Sequence, residues 1–217
     1  MRTSHILGTR CLRAASVSAS NGSPHQPLEP RPVTIGHIGL TVRDLDRAVA
    51  FYADVVGLRL TERFTYPEAI GHGPTVAAGA FMRCDTSHHC LSIFALRPEF
   101  QRPEETSSDR QGLHHIAFEM ATPDELLAKL RHVRAHGVPI ANERRGGPGN
   151  QPRFYIRDPE GNLIEFYWGI DQIGWQGRPR TYAPIQEIDL ENYDFAEFVR
   201  ERDGVAVAQI GGARGPE

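Results

Sequence analysis

"TIGHIGLTVRDL", residues 34–45, and "GLHHIAFEMATP", residues 112–123, decide the fold. Each sets a histidine, His37 or His115, against an aliphatic run of strand character and passes at once into a helix-start signal. In the first, Ile38, Leu40 and Val42 recur at period two. Asp44 then opens a segment with Leu45, Ala48, Val49, Tyr52 and Val56 at helical spacing, and Gly57 stops it. In the second, "LHHIAFEM" is the strand. Thr122, Pro123 and Glu125 supply an N-cap, a first-turn proline and a capping-box partner for a helix carrying Leu126, Leu127, Leu130 and Val133, which Gly137 ends.

The segments after the two helices repeat as well. After Gly57 the strand "GLRLTERF" leads to a loop around "PEAIGHGP", then to the strands "VAAGAFMRC" and "HCLSIFAL" with a turn at "DTSH". After Gly137 come "VPIANE", the glycine-rich loop "RRGGPGN", the strand "RFYIR", a tight turn "DPEGN" and the strand "LIEFYW". The order strand, helix, strand, strand, strand occurs twice. A single four-stranded sheet with one helix leaves a face uncovered, so the two halves are expected to pack as a pair in an α+β fold.

Composition sets the bounds. The 217 residues are 40 % hydrophobic with a formal net charge of -3, and Lys and Arg are scattered rather than clustered. That pattern offers no electrostatic footprint for nucleic acid, and no apolar run approaches the roughly 18 residues that span a bilayer. A small molecule is the expected partner. Cys11, Cys84 and Cys90 are too few and too irregularly spaced for a disulfide framework or zinc knuckle, which points to a reducing, cytoplasmic setting. Residues 1–32 are rich in Arg, Ser, Ala and Pro, with no acid before Glu29. They are expected to lie outside the fold, as a disordered extension or, given Arg2, Arg10 and Arg13, an organelle transit peptide.

The two βαβββ modules, with "HIGLTVRDLDRAVAFYADVVGL" in the first and "HHIAF" and "FYIRDPEGNLIEFYW" in the second, resemble the vicinal oxygen chelate superfamily of glyoxalases, bleomycin-resistance proteins and extradiol dioxygenases. The resemblance covers residues 33–170, as modules 33–100 and 112–170. Residues 171–217 form a C-terminal extension in which "DLENYDFAEFVRER" reads as a short helix and "GIDQIGWQGRPRTY" is expected to fold back over the cavity mouth.

Strand parity places the candidate site. His37, Gly39 and Thr41 share a face opposite Ile38, Leu40 and Val42. His115 likewise shares a face with Ala117 and Glu119, and Glu165 with Tyr167, opposite Ile164, Phe166 and Trp168. Two neutral imidazoles and one carboxylate make the facial triad that suits non-haem Fe(II) and leaves positions open for substrate and O₂. In the superfamily the ligands sit on the first strand of each module and the last strand of the second, which assigns His37, His115 and Glu165 as metal ligands. His114, on the opposite face, is expected to be structural or to orient His115.

The same resemblance implies the reaction. Glyoxalase-like members carry a fourth ligand on the last strand of the first module; here the position facing Glu165 is Ser92 or Ile93, neither a good ligand, which favours a three-ligand site as in type I extradiol dioxygenases. "HHCLSI" resembles the dioxygenase segment whose histidine serves as acid and base, placing that role on His89, with His88 in solvent. Tyr155 in "RFYIRDP" matches the tyrosine that hydrogen-bonds the substrate oxygen, and parity separates it from the core residues Phe154 and Ile156. Many extradiol enzymes carry a further histidine before the Phe-Tyr pair. "RRGGPGNQPRFY" has none, and Arg145 or Asn150 is the candidate replacement. The implied activity is ring cleavage of a catechol-like diol with O₂ and Fe(II) or Mn(II), in a homo-oligomer without nucleic-acid or membrane partners. An oxygen-independent isomerase, epimerase or lyase and a non-catalytic aromatic-binding resistance protein are the alternatives.

Overall fold

A computed structural model describes residues 32, 34–66, 75–102, 112–173 and 184–211, with side chains to residue 203. The chain divides into two compact units, Met1–Ile35 and Gly36–Glu217, and every element below lies in the second. Strand β1 (Ile38–Val42) leads into helix α1 (Leu45–Ala50), which loosens into a π-helical turn over Phe51–Val56. Strands β2 (Arg59–Thr65), β3 (Val76–Arg83) and β4 (Leu91–Leu96) complete a sheet of order β1-β4-β3-β2. The pattern then recurs: β5 (His115–Glu119), α2 (Pro123–Ala135), β6 (Asn142–Arg145), β7 (Arg153–Arg157) and β8 (Leu163–Tyr167) give the order β5-β8-β7-β6. In each sheet the first and last strands pair in parallel while the hairpins pair antiparallel. The expected α+β pair of βαβββ modules is what the chain forms.

Local chemistry sets the boundaries. Asp44 accepts from the Arg47 amide at 3.0 Å to cap α1, and Thr122 accepts from the Glu125 amide at 3.1 Å to cap α2. Gly57, with φ 91°, turns the chain out of the π-helical turn in a conformation costly to a residue with a Cβ.

Two stretches differ from expectation. The pattern starts the glycine-rich loop at Arg144, yet Arg144 and Arg145 are the last residues of β6. They pair with Glu187 and Gln186 of β9 (Gln186–Glu187), a C-terminal strand that covers the edge of the second sheet. Edge pairing with a distant segment overrides the glycines just beyond. The terminal helix is also longer than its pattern suggests: Leu190–Asn192 is a 3₁₀ turn, and α3 (Phe195–Gly211) starts only where Asp194 accepts from the Glu197 amide at 2.8 Å. Most of the segment expected to fold over the cavity, 174–183, lies outside the described residues, as do 67–74 and 103–111.

One continuous core joins the modules. Leu40, Met82, Leu91 and Ile93 of the first sheet, Phe154, Ile156, Ile164 and Phe166 of the second, and Tyr52, Leu126 and Leu130 of the helices are buried in a single cluster. Each large apolar side chain buried in this way contributes about 1.5–3 kcal/mol. Polar clamps cross the same boundary. The Tyr52 hydroxyl donates to Asp158 Oδ2 at 2.8 Å, and Lys129 Nζ donates to the Val55 and Val56 carbonyls at 3.2 and 3.1 Å, where the π-helical turn ends. Asp158 in turn accepts from the Glu160 and Asn162 amides at 2.9 and 2.8 Å, fixing the "DPEGN" turn. Among the described residues no helix is long and apolar enough to cross a membrane.

Candidate metal centre

Parity holds on both sheets. Leu40 and Val42 are buried while His37, Gly39 and Thr41 are exposed, and Ile164 and Phe166 are in the core while Glu165 and Tyr155 turn to the opposite face. Glu165 is 3 % exposed although it faces away from the core. A carboxylate so enclosed must be surrounded by donors.

The second sheet supplies them. The Tyr155 hydroxyl donates to Glu165 Oε2 at 2.7 Å, and His115 Nε2 lies 3.1 Å from the same oxygen. Gln151 Nε2 donates to Oε1 at 3.3 Å, and Arg153 Nε stands 3.8 Å from Oε1. Strand register explains the convergence, since Glu165 pairs with Ala117 on β5 and Tyr155 on β7, so residues two apart along each strand crowd the carboxylate. Burial, then the Glu165 carboxylate, push the Tyr155 phenol up to about 12 against the opposing pull of Arg153. Tyr155 therefore keeps its proton at neutral pH and is a donor. His114 Nδ1 lies 2.7 Å from His115 Nδ1, a contact that fixes the His115 ring with its Nε2 toward Glu165.

The first module gathers a second cluster. The His37 ring lies 4.6 Å from that of His89, and His89 lies 4.5 Å from Phe81, centroid to centroid. Burial, then the His37 and His88 imidazoles, lower the His89 pKa, which favours its neutral, proton-accepting form. His88 turns its Nε2 to Glu62 at 3.5 Å on the exposed side of the hairpin. The structure thus brings together His115, Glu165 and Tyr155, and separately His37 and His89. Among the described residues no three His, Cys, Asp or Glu side chains are gathered closely enough to share an ion.

The donor chemistry around Glu165 nonetheless fits a divalent transition metal. An imidazole nitrogen and a carboxylate oxygen 3.1 Å apart have the separation of neighbouring ligands that each sit about 2.0–2.2 Å from one ion. Register also resolves the fourth-ligand position. Ser92 pairs with Gly39 and Phe81 as Glu165 pairs with Ala117 and Tyr155, whereas Ile93 is wholly within the core.

Residues 34–166 match the Glyoxalase/Bleomycin resistance protein/Dioxygenase superfamily. The chain belongs to this superfamily. Among curated superfamily proteins it is 30 % identical over 140 residues to the biphenyl-2,3-diol 1,2-dioxygenase of Paraburkholderia xenovorans (strain LB400), covering 64 % of this chain and 42 % of that one. It is 28 % identical over 169 residues to the iron-dependent extradiol dioxygenase of Rhodococcus jostii (strain RHA1), covering 75 % and 51 %. The chain therefore spans about half or less of the length of these relatives. A solved structure, that of SMU.1112c, shares the fold with a TM-score of 0.50 at 21 % identity, covering 63 % of this chain and 99 % of that one.

Two residues that hold Glu165 are not legible as site residues in the sequence. Arg153 shares strand parity with Tyr155, a signal available in "RFY" but masked by the abundance of exposed arginines. Gln151 lies beyond the strand, where parity says nothing. The candidates for the absent histidine behave differently: Arg145 bonds Tyr193 at 3.0 Å and Glu201 at 2.8 Å in the C-terminal extension, and Asn150 is a buried left-handed turn residue with φ 54°.

Proposed function

We propose that this protein is an extradiol dioxygenase that opens the ring of a catechol-like diol with O₂, using Fe(II) or Mn(II) held by His37, His115 and Glu165. The observation that carries the reading is the cluster of His115, Tyr155 and Glu165 on three adjacent strands, with 3.1 and 2.7 Å separations at a single carboxylate oxygen. Curated relatives support it: they include an iron-dependent extradiol dioxygenase and a manganese-dependent 2,3-dihydroxybiphenyl 1,2-dioxygenase. Ser92, where an acid would supply a fourth ligand, favours the same reading over the glyoxalase type.

A divalent iron or manganese ion, if held by His37, His115 and Glu165, would supply Lewis-acid and electron-transfer chemistry toward the diol and O₂. The protein's own groups do the rest. His115 and Glu165 present one nitrogen and one oxygen in fixed positions, and His37, which stands with His89 in the first module, would complete the set. Tyr155, whose one O–H goes to Glu165 Oε2, accepts from a hydroxyl of the bound diol at its oxygen and orients it. His89, kept neutral, accepts a proton from a diol hydroxyl at a ring nitrogen and returns it as the ring opens, general acid-base work worth about 10²–10⁴-fold. Both oxygen atoms of O₂ enter a ring-opened semialdehyde or keto acid.

The test is O₂ uptake by protein loaded anaerobically with Fe(II), and in parallel with Mn(II), against a panel of catechols. Uptake matched one-to-one by a coloured ring-opened product is expected. One tightly bound ion per chain without uptake on any diol would overturn the reading.

A further inference from the structure

The two oxygens of Glu165 have separate partners. Oε2 receives the Tyr155 hydroxyl and faces His115, whereas Oε1 receives Gln151 Nε2 at 3.3 Å and faces Arg153 Nε at 3.8 Å. Gln151 and Arg153 are only 8 % and 7 % exposed, so both are committed to the interior. Burying a guanidinium is costly unless its donors are occupied. Arg153 Nη1 donates to the Gly146 and Gln151 carbonyls, both at 2.9 Å, and Nε donates to the Tyr155 hydroxyl at 3.1 Å.

That last contact has a directional consequence. A guanidinium can only donate, so a hydroxyl that accepts from it must send its own proton elsewhere. At Tyr155 that direction is Glu165 Oε2. On its other side Gln151 packs against the loop: Gly149 has φ +76°, and a Cβ there would come within 2.7 Å of Gln151 Oε1, so the bare backbone leaves room for the amide with its nitrogen toward the carboxylate. The loop carbonyls, Arg153, Tyr155 and Gln151 form one brace around Glu165.

We propose that Gln151 and Arg153 are positioning residues that retain Oε1 for the protein, present Oε2 alone to the metal, and fix the Tyr155 proton. The assignment rests on the reading that His115 and Glu165 hold the ion. It goes beyond that reading by giving a role to two buried residues that hold the carboxylate at the oxygen turned away from Tyr155 and His115.

Mn(II) binding to the full chain, followed by electron paramagnetic resonance of the free ion, tests it in wild type, Gln151→Met, Arg153→Met and Arg153→Lys, with Co(II) absorption spectra of the same proteins. Thermal unfolding of each metal-free protein identifies a variant that fails to fold, and Gln151→Met, which leaves the guanidinium in place, answers if the arginine variants do. Gln151→Met is expected to weaken Mn(II) about 10–100-fold and alter the Co(II) ligand-field bands. Arg153→Lys should resemble Arg153→Met, because one ammonium cannot take the separate positions from which Nη1 serves the Gly146 and Gln151 carbonyls and Nε the Tyr155 hydroxyl. Unchanged affinity and spectrum in a folded Gln151→Met, with wild type binding normally, would overturn this assignment alone. Failure of the wild type to bind either ion would overturn the proposed function and this assignment with it.

Discussion

Ser92 is the first-sheet counterpart of Glu165. Each sits on the last strand of its module, opposite the residue two beyond the matched histidine, Gly39 or Ala117, and opposite the third-strand aromatic, Phe81 or Tyr155. The repeat is symmetric in backbone and asymmetric in chemistry. One half carries the acid and the phenol; the other carries a hydroxyl too weak to ligate and a ring that packs on His89.

From that asymmetry, Ser92→Ala is expected to leave Mn(II) affinity within about twofold of wild type, the small effect usual for a change away from ligands. Glu165→Gln and His115→Ala should each abolish tight binding while the far-UV circular dichroism persists. Equal losses at Ser92 and Glu165 would show that both halves ligate.

Phe81 and His37 hold the His89 ring without placing it among the proposed ligands. His89→Phe is expected to retain the metal and lower turnover about 10²–10⁴-fold, the range for loss of a general acid-base group. Metal content by atomic absorption and steady-state O₂ consumption separate the two effects, and an unchanged turnover would remove His89 from the mechanism.

Tyr155→Phe removes the donor to Glu165 Oε2 and keeps the ring. Turnover should fall about 10–100-fold with metal affinity reduced no more than that, since an outer partner is lost and a ligand is not. Comparison of kcat with metal titration on one preparation checks it.

At the module boundary, Tyr52→Phe is expected to cost about 1.5–3 kcal/mol, because the buried Asp158 loses a hydrogen bond to a charged acceptor. Burial, then Asp158, raise the Tyr52 phenol far above its ordinary value of 10.0 in the folded chain. The unfolded chain ionises near that ordinary value. Stability is therefore fully present below about pH 10 and declines above it, by up to roughly 1.4 kcal/mol per pH unit for this one group. Urea unfolding at pH 8 and above pH 10 should show a shallower alkaline loss in Tyr52→Phe; parallel slopes would mean that Tyr52 ionises alike in both states.

Much of this molecule is set by short-range pattern. The alternation around Ile38, Leu40 and Val42, the caps at Asp44 and Thr122 and the stops at Gly57 and Gly137 define the two modules, because backbone geometry and hydrophobic periodicity act within a few residues. Parity then assigns His115, Tyr155 and Glu165 to the polar face of their strands. Cross-strand neighbours are a different matter. Whether Ser92 or Ile93 answers Glu165 depends on how two hairpins align, and β9 closes on β6 across the 40 residues of chain between Arg145 and Gln186. The brace of Gln151 and Arg153 likewise depends on a glycine loop turning back onto its own strand. Sequence determined which residues share a face; only tertiary packing decided which of them meet, because register and loop return are settled by burial of the whole core rather than by any local preference.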